Sequence, residues 1–223
     1  PMKMEELGQN VGYLLYRTQA EWDADKERVR VIDGRDRMQL FVDGNFITTQ
    51  YQTEIGQDIF VAAEKGTNHT IDILMENMGR VNYGHKLLAD TQHKGIRTGV
   101  CKDLHFMLHW NQYPLEFKNP EAIDFTKEWH ENQPAFYAFD IELKALKDTY
   151  LELTHFGKGI VFVNGVNIGR FWDVGPTLSL YIPHGLLTIG KNRIIIFETE
   201  GKYSEFIHLV HKPTFKTIKG AKL

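Results

Sequence analysis

Leu40-Phe41-Val42-Asp43-Gly44 returns 121 residues later as Val161-Phe162-Val163-Asn164-Gly165. Each copy is a short run of strand formers that stops at an Asx-Gly pair. Asx-Gly suits a two-residue type I′ hairpin, because both central positions need positive φ. A second pair follows in the same order: Thr70-Ile71-Asp72-Ile73-Leu74 is matched, at an offset of 123, by Arg193-Ile194-Ile195-Ile196-Phe197. Each half of the chain thus carries a strand, a tight hairpin, a middle stretch and a closing strand. The near-equal offsets predict two β-sandwich domains of related construction. A solenoid would repeat roughly every 20–50 residues instead.

The surrounding sequence agrees. Met38, Leu40 and Val42 alternate with Gln39, and Ile71, Ile73 and Met75 are opposed by Asp72, the period of two that strands require. Most of the 19 glycines fall between short runs of Val, Ile, Phe, Tyr and Thr. Helical periodicity is scarce; the best candidate is Pro120–Trp129, with Asn119 as N-cap and Pro120 at the first position. Asn111–Pro134 holds three prolines and little alternation, and reads as a linker. The expectation is therefore an all-β chain: a first sandwich over 1–110, a linker over 111–134 and a second sandwich over 135–223.

Composition narrows the functions. With 42% hydrophobic and 25% charged residues among 223, the chain is of ordinary globular make-up, which excludes wholesale disorder. A net charge of −3 argues against a nucleic-acid partner. The longest aliphatic or aromatic runs, Ile160–Val163 and Ile194–Phe197, fall far short of the roughly 20 residues a membrane-spanning helix needs. The single cysteine, Cys101, excludes an internal disulfide framework and a multi-cysteine zinc site. Pro1–Gln9 shows no secretory pattern, which together with the lone cysteine favours the cytoplasm. A chain that starts at Pro1 reads as cut from a longer protein, whose own targeting signal is not visible here.

Chemistry-bearing motifs are few. His105 and His109 are four apart and His208 and His211 three apart, but neither pair has the adjacent Glu of a zinc hydrolase, so no metal is expected. There is no Gly-x-Ser-x-Gly elbow, no dinucleotide fingerprint and no Walker loop, and no cofactor is expected. Gly157-Lys158-Gly159 reads as a turn before a strand. The sequon Asn68-His69-Thr70 matters only in a secreted eukaryotic protein. Lys212, Lys216, Lys219 and Lys222 read as a solvated tail. Among the aromatics, Phe41, Phe162 and Phe197 are expected in sandwich cores or sheet interfaces. Tyr83 and Trp172 sit among turn residues and remain candidates for stacking on a sugar.

Several segments together resemble one family. They are Met4-Glu5-Glu6-Leu7-Gly8-Gln9-Asn10 with Gly12–Thr18, Asp33-Gly34-Arg35-Asp36-Arg37, Glu76-Asn77-Met78-Gly79-Arg80-Val81-Asn82-Tyr83-Gly84, Gly159–Gly165, Asn167–Trp172, Gly175-Pro176 and Leu180–Pro183. The chain resembles, over nearly its whole length, the C-terminal non-catalytic part of glycoside hydrolase family 35 β-galactosidases. The resemblance implies jelly-roll, galactose-binding-like sandwiches and a partner, the catalytic (β/α)8 barrel of the parent chain. In that family both catalytic glutamates lie in the barrel, so no catalytic residue carries over. Asn77, Arg80, Asn82, Tyr83 and Trp172 become candidates for docking on the barrel or bordering its substrate entrance, with galactoside contact at the barrel rim. An internal lock fits the same glycine-rich motif. An autonomous carbohydrate-binding module and a structural or oligomerisation domain remain alternative readings.

Overall fold

The computed structural model describes residues 1–217, and the chain divides into two compact units, Pro1–Phe117 and Lys118–Leu223. The first unit has nine strands: β1 (Gly12–Glu21), β2 (Lys26–Arg35), β3 (Arg37–Val42), β4 (Asn45–Tyr51), β5 (Ile59–Ala62), β6 (Asn68–Asn77), β7 (Gly95–Lys102), β8 (His105–Phe106) and β9 (Asn111–Leu115). They form a five-stranded sheet in the order β4-β3-β6-β1-β9 and a four-stranded sheet in the order β5-β2-β7-β8. Leu14, Tyr16, Met38, Leu40, Ile71, Ile73 and Met75 from the first sheet pack with Val29, Val31, Val61, Ile96 and Val100 from the second, which makes a β-sandwich. Burying such a side chain contributes about 1.5–3 kcal/mol relative to leaving it in water.

The alternation read from sequence fixes which face meets that core, but the opposite face is not simply wet. All six residues of β3 are buried, Gln39 included. Asp72 on β6 is buried too, and Arg17 grips it through two parallel hydrogen bonds of 2.6 and 2.7 Å.

Among the described residues the second unit has seven strands: β10 (Ala135–Leu143), β11 (Thr149–Glu152), β12 (Lys158–Val163), β13 (Val166–Trp172), β14 (Ser179–Ile182), β15 (Gly190–Glu198) and β16 (His208–Val210). The sheets run β10-β15-β12-β13 and β14-β11-β16. Between them lie Tyr137, Leu151, Phe156, Val161, Val163, Phe171, Ile182, Ile194 and Ile196. Phe41, Phe162 and Phe197 are buried as expected, but alternation turns them away from these two cores, since Leu40, Val161 and Ile196 occupy the core faces.

The repeated Asx-Gly turns are one device built twice. Asp43 and Gly44 have φ of 51° and 76°, Asn164 and Gly165 of 47° and 81°. Asp43 donates its N–H to the Thr70 carbonyl (2.9 Å) and accepts the Thr70 N–H on its carboxylate (2.8 Å). Asn164 does the same with Arg193, at 2.8 Å in each direction. The side chain that permits the turn therefore also ties it to the closing strand.

Two expectations change. Asn111–Leu115, read as the start of the linker, is β9 and pairs with β1. It is an edge strand, where Pro114 removes no hydrogen bond that a second neighbour would need. Pro120–Trp129 is not a helix beyond one 3-10 turn at Pro120–Ala122, and the Asn119 side chain caps nothing. Of the tail lysines, Lys219 and Lys222 lie outside the described residues; Lys216 donates to the Asp173 carbonyl at 2.8 Å.

Candidate functional site

The motif Glu76–Gly84 begins inside the first sandwich and ends in solvent. Glu76 and Asn77 are the last residues of β6, and both are buried. Asn77 donates its amide to the Asn10 carbonyl (2.8 Å) and accepts the Gly79 N–H (2.9 Å). That Asx turn swings the chain off the sheet through Gly79 at φ +120°, a conformation that side chains other than glycine rarely adopt.

Arg80 then reaches back. Its guanidinium donates to the Asn10 carbonyl at 2.7 Å and to the Glu5 carboxylate. Glu5 also accepts the Lys94 N–H at 2.9 Å. Burial pushes the Glu5 carboxyl up, but the Arg80 and Lys94 hydrogen bonds outweigh it and hold the group below the usual carboxylate range. Asp36 completes the arrangement: Lys94 Nζ lies 2.7 Å from both of its oxygens, and Met78 donates its N–H at 2.8 Å.

The N-terminal segment is held by the same groups. Met4, wholly buried, donates its N–H to the Lys94 carbonyl, while the Tyr16 hydroxyl donates to the Met2 carbonyl at 2.7 Å and accepts the Ile96 N–H at 3.2 Å. Gly95 allows that approach, because a Cβ there would lie 2.4 Å from the Tyr16 oxygen. Residues Met2 to Asn10, the root of the loop and the start of β7 thus form one hydrogen-bonded block.

Past Arg80 the surroundings change. Every residue from Val81 to Leu88 is exposed. Tyr83 is 87% exposed and Leu88 94%. Backbone turns, Leu87 N–H to Gly84 and Ala89 N–H to Lys86, shape the excursion, and Gln92 accepts the Val81 N–H at 3.3 Å. Asn77 and Arg80 therefore anchor the loop, whereas Asn82 and Tyr83 stand at its exposed end. Trp172 belongs to the second unit, at the end of β13, where the Lys158 ammonium lies 4.7 Å from its ring centroid. Asp36, which stands in one of the family-like segments, and Lys94, which stands in none, also make the anchor, and their pairing across 58 residues leaves no spacing to read. Among the described residues no group of three or more His, Cys, Asp and Glu side chains is placed to hold a metal ion.

Residues 1–116 match the family profile "Beta-galactosidase, first all-beta domain", which is more than half of the chain. The chain belongs to the β-galactosidase family. Residues 134–192 match a second profile, "Beta-galactosidase, galactose-binding domain". Among curated relatives, "Beta-galactosidase 17" of Arabidopsis thaliana is 32% identical over 236 residues, covering 92% of this chain and 33% of the relative. "Beta-galactosidase 1" of Dictyostelium discoideum is 34% identical over 224 residues, covering 89% and 32%. A "Beta-galactosidase" of Xanthomonas manihotis is 33% identical over 184 residues, covering 82% and 30%. The chain spans about a third of the length of these relatives.

Proposed function

We propose that this chain is the non-catalytic C-terminal part of a β-galactosidase that hydrolyses terminal β-D-galactosides with retention. Its role is to buttress the (β/α)8 catalytic barrel of the longer protein and to border the substrate entrance. The observation behind this reading is the split within one motif. Asn77 and Arg80 are engaged inside the first unit, while Tyr83, on a loop rooted by them, has 87% of its surface free. A rigidly rooted loop with an exposed ring is suited to meet something outside its own unit. The relatives, about three times as long as this chain, support the existence of such a neighbour. In this reading Asn82 and Tyr83 face the barrel rim, Trp172 belongs to the docking surface, and no residue here is acid/base or nucleophile.

The test is turnover of a chromogenic β-galactoside by the purified 223-residue chain, beside the longer protein. None is expected from the chain alone. Activity that tracks its protein peak through extensive purification would overturn the reading.

A further inference from the structure

The sheet β5-β2-β7-β8 has a basic outer face, although the chain as a whole carries a net charge of −3. Alternation puts Val29 and Val31 of β2 in the core and turns Lys26, Arg28 and Arg30 to the opposite side. These three are paired. Asp58 lies 3.7 Å from Arg28 and accepts from Arg30 Nε at 2.7 Å, and Asp103 lies 3.9 Å from Arg28. The Lys26 ammonium lies over the Phe60 ring, 5.2 Å from its centroid.

Further along β2 the pattern is broken by a β-bulge. Ile32 pairs with Gly99 and Gly34 with Ile96, so Arg97 and Thr98 stand against Asp33 alone, and Asp33 takes φ of 59° there. A Cβ on Gly34 would meet Ile55, Val31 and Met75, and Ile96 is wholly buried, so this pair faces the core. Arg35 and Arg97, one residue on from each, therefore return to the outer face. They are diagonal neighbours, about 7–8 Å apart at the backbone, a separation that long side chains span. Re-aiming a side chain in this way is a common use of a bulge.

The two arginines differ in what holds them. Arg97 Nη2 lies 3.2 Å from the Asp33 carboxylate, and the Arg97 side chain is 13% exposed. Arg35 has no hydrogen bond or ion pair among the described residues. Its neighbour in sequence, Asp36, is taken by Lys94 at 2.7 Å. In both arginines Nε is shielded without an acceptor, which leaves the Nη edge of each fork as the part that can meet a ligand. Side chains held this far into the surface lose little freedom on binding.

We propose that Arg35 and Arg97 form a binding site for a free, doubly charged tetrahedral oxyanion, phosphate or sulfate. A guanidinium presents its donors in a planar fork that matches two oxygens of such an ion, and a tetrahedral ion has oxygens left for a second fork. Asp33 neutralises only one of the two arginines, so the pair keeps a positive charge. The surrounding field has the same sign, because the carboxylates on this face, Asp33, Asp58 and Asp103, are outnumbered by its basic side chains. Chloride, singly charged and spherical, cannot engage both forks through separate oxygens. The inference concerns the first unit alone and does not depend on the barrel-docking reading.

Proton–nitrogen correlation NMR of the 223-residue chain tests it, with sodium phosphate and sodium sulfate titrated at an ionic strength held constant by sodium chloride, beside a titration with sodium chloride alone. Saturable shifts are expected at the backbone amides of residues 33–35 and 95–99, with Kd on the order of 1 mM for phosphate and for sulfate. Arg35→Gln should weaken binding at least about tenfold, and Arg97→Gln about threefold or more. Arg35→Lys should fall between Arg35→Gln and the parent, since it keeps the charge and loses the fork. Arg30→Gln, on the same face but paired with Asp58, should change Kd less than about twofold. Dispersion of the amide spectrum reports whether each variant is folded, and Arg35→Lys decides the matter if Arg35→Gln is not. Shifts that never saturate, that chloride alone reproduces, or that persist with unchanged Kd in a folded Arg35 variant would overturn the proposal. An equal loss in Arg30→Gln would also overturn it, by making the face a diffuse patch of charge.

Discussion

Arg37 and Glu76 are register partners on adjacent strands, and their side chains, 0% and 1% exposed, meet at 3.2 Å. Both belong to the motifs that make this family recognisable, yet neither can touch a substrate. Their task is structural: an ion pair of this kind specifies one register of β3 against β6. Glu76→Ala strips the carboxylate from a buried guanidinium and should cost about 3–5 kcal/mol in urea unfolding of the chain. The double variant Arg37→Met with Glu76→Leu should recover most of that, because two apolar groups incur no charge-burial cost. A single variant as stable as the parent would remove the ion pair from the account.

His69 gives the first unit a pH dependence near neutrality. Its Nε2 lies 2.9 Å from the Glu64 carbonyl and its Nδ1 2.6 Å from the Asp43 carboxylate, so the doubly protonated ring can donate to both. The Glu64 carbonyl and then Asp43 raise its pKa above the ordinary value. A raised folded-state pKa stabilises fully below the unfolded value of about 6.5, and that contribution is lost as pH rises through the folded value. The urea midpoint should therefore fall on going from about pH 6 to pH 9, and His69→Gln should flatten that slope. Asp43 works in the other direction. The His69 hydrogen bond depresses its pKa, so its contribution is present above about pH 4 and lost as pH falls through the depressed value. A slope unchanged in His69→Gln would mean other groups carry it.

Local chemistry was legible in the sequence, and long-range chemistry was not. The Asx-Gly repeat could be read because a type I′ turn restricts both residues, so Asp43-Gly44 and Asn164-Gly165 announce themselves. The alternation of Met38, Leu40 and Val42 located a core face, but it could not say that Arg37 and Gln39 opposite would be buried as well. β9 was missed because Pro114 argues against a strand, and only knowledge of sheet order shows that it lies at an edge. The anchor of the loop was half visible. Asn77, Arg80 and Asp36 stood out by motif, whereas Lys94 lies in none, and its pairing with Asp36 spans 58 residues and leaves no spacing to read.

Arg80 is the hinge pin of the exposed loop. Its contacts to Asn10 and Glu5 connect the loop root to the N-terminal segment. Arg80→Ala should cost about 1–2 kcal/mol, a charge-assisted hydrogen bond partly open to water. Amide hydrogen exchange should quicken both in Val81–Gln92 and in Met2–Asn10, with little change in β10–β16. Acceleration in the loop alone would show that the N-terminal segment is held by Lys94 and Tyr16 without help from Arg80.

Tyr83 is where the proposed function is most exposed to refutation. Its ring is 87% exposed, so Tyr83→Ala has little packing to lose, and the melting temperature of the chain should stay within experimental error. In the longer enzyme the same change should act through substrate. A ring at the rim, stacked on the sugar beyond the galactose, favours some linkages over others. Its removal should shift kcat/KM unevenly across differently linked galactosides, by about 1–2 kcal/mol for the most affected. Tyr83→Phe keeps the stacking face and should restore most of the loss, which separates stacking from hydrogen bonding by the phenol. An equal loss on every linkage would instead make the loop a prop for the barrel, with Tyr83 acting through position alone.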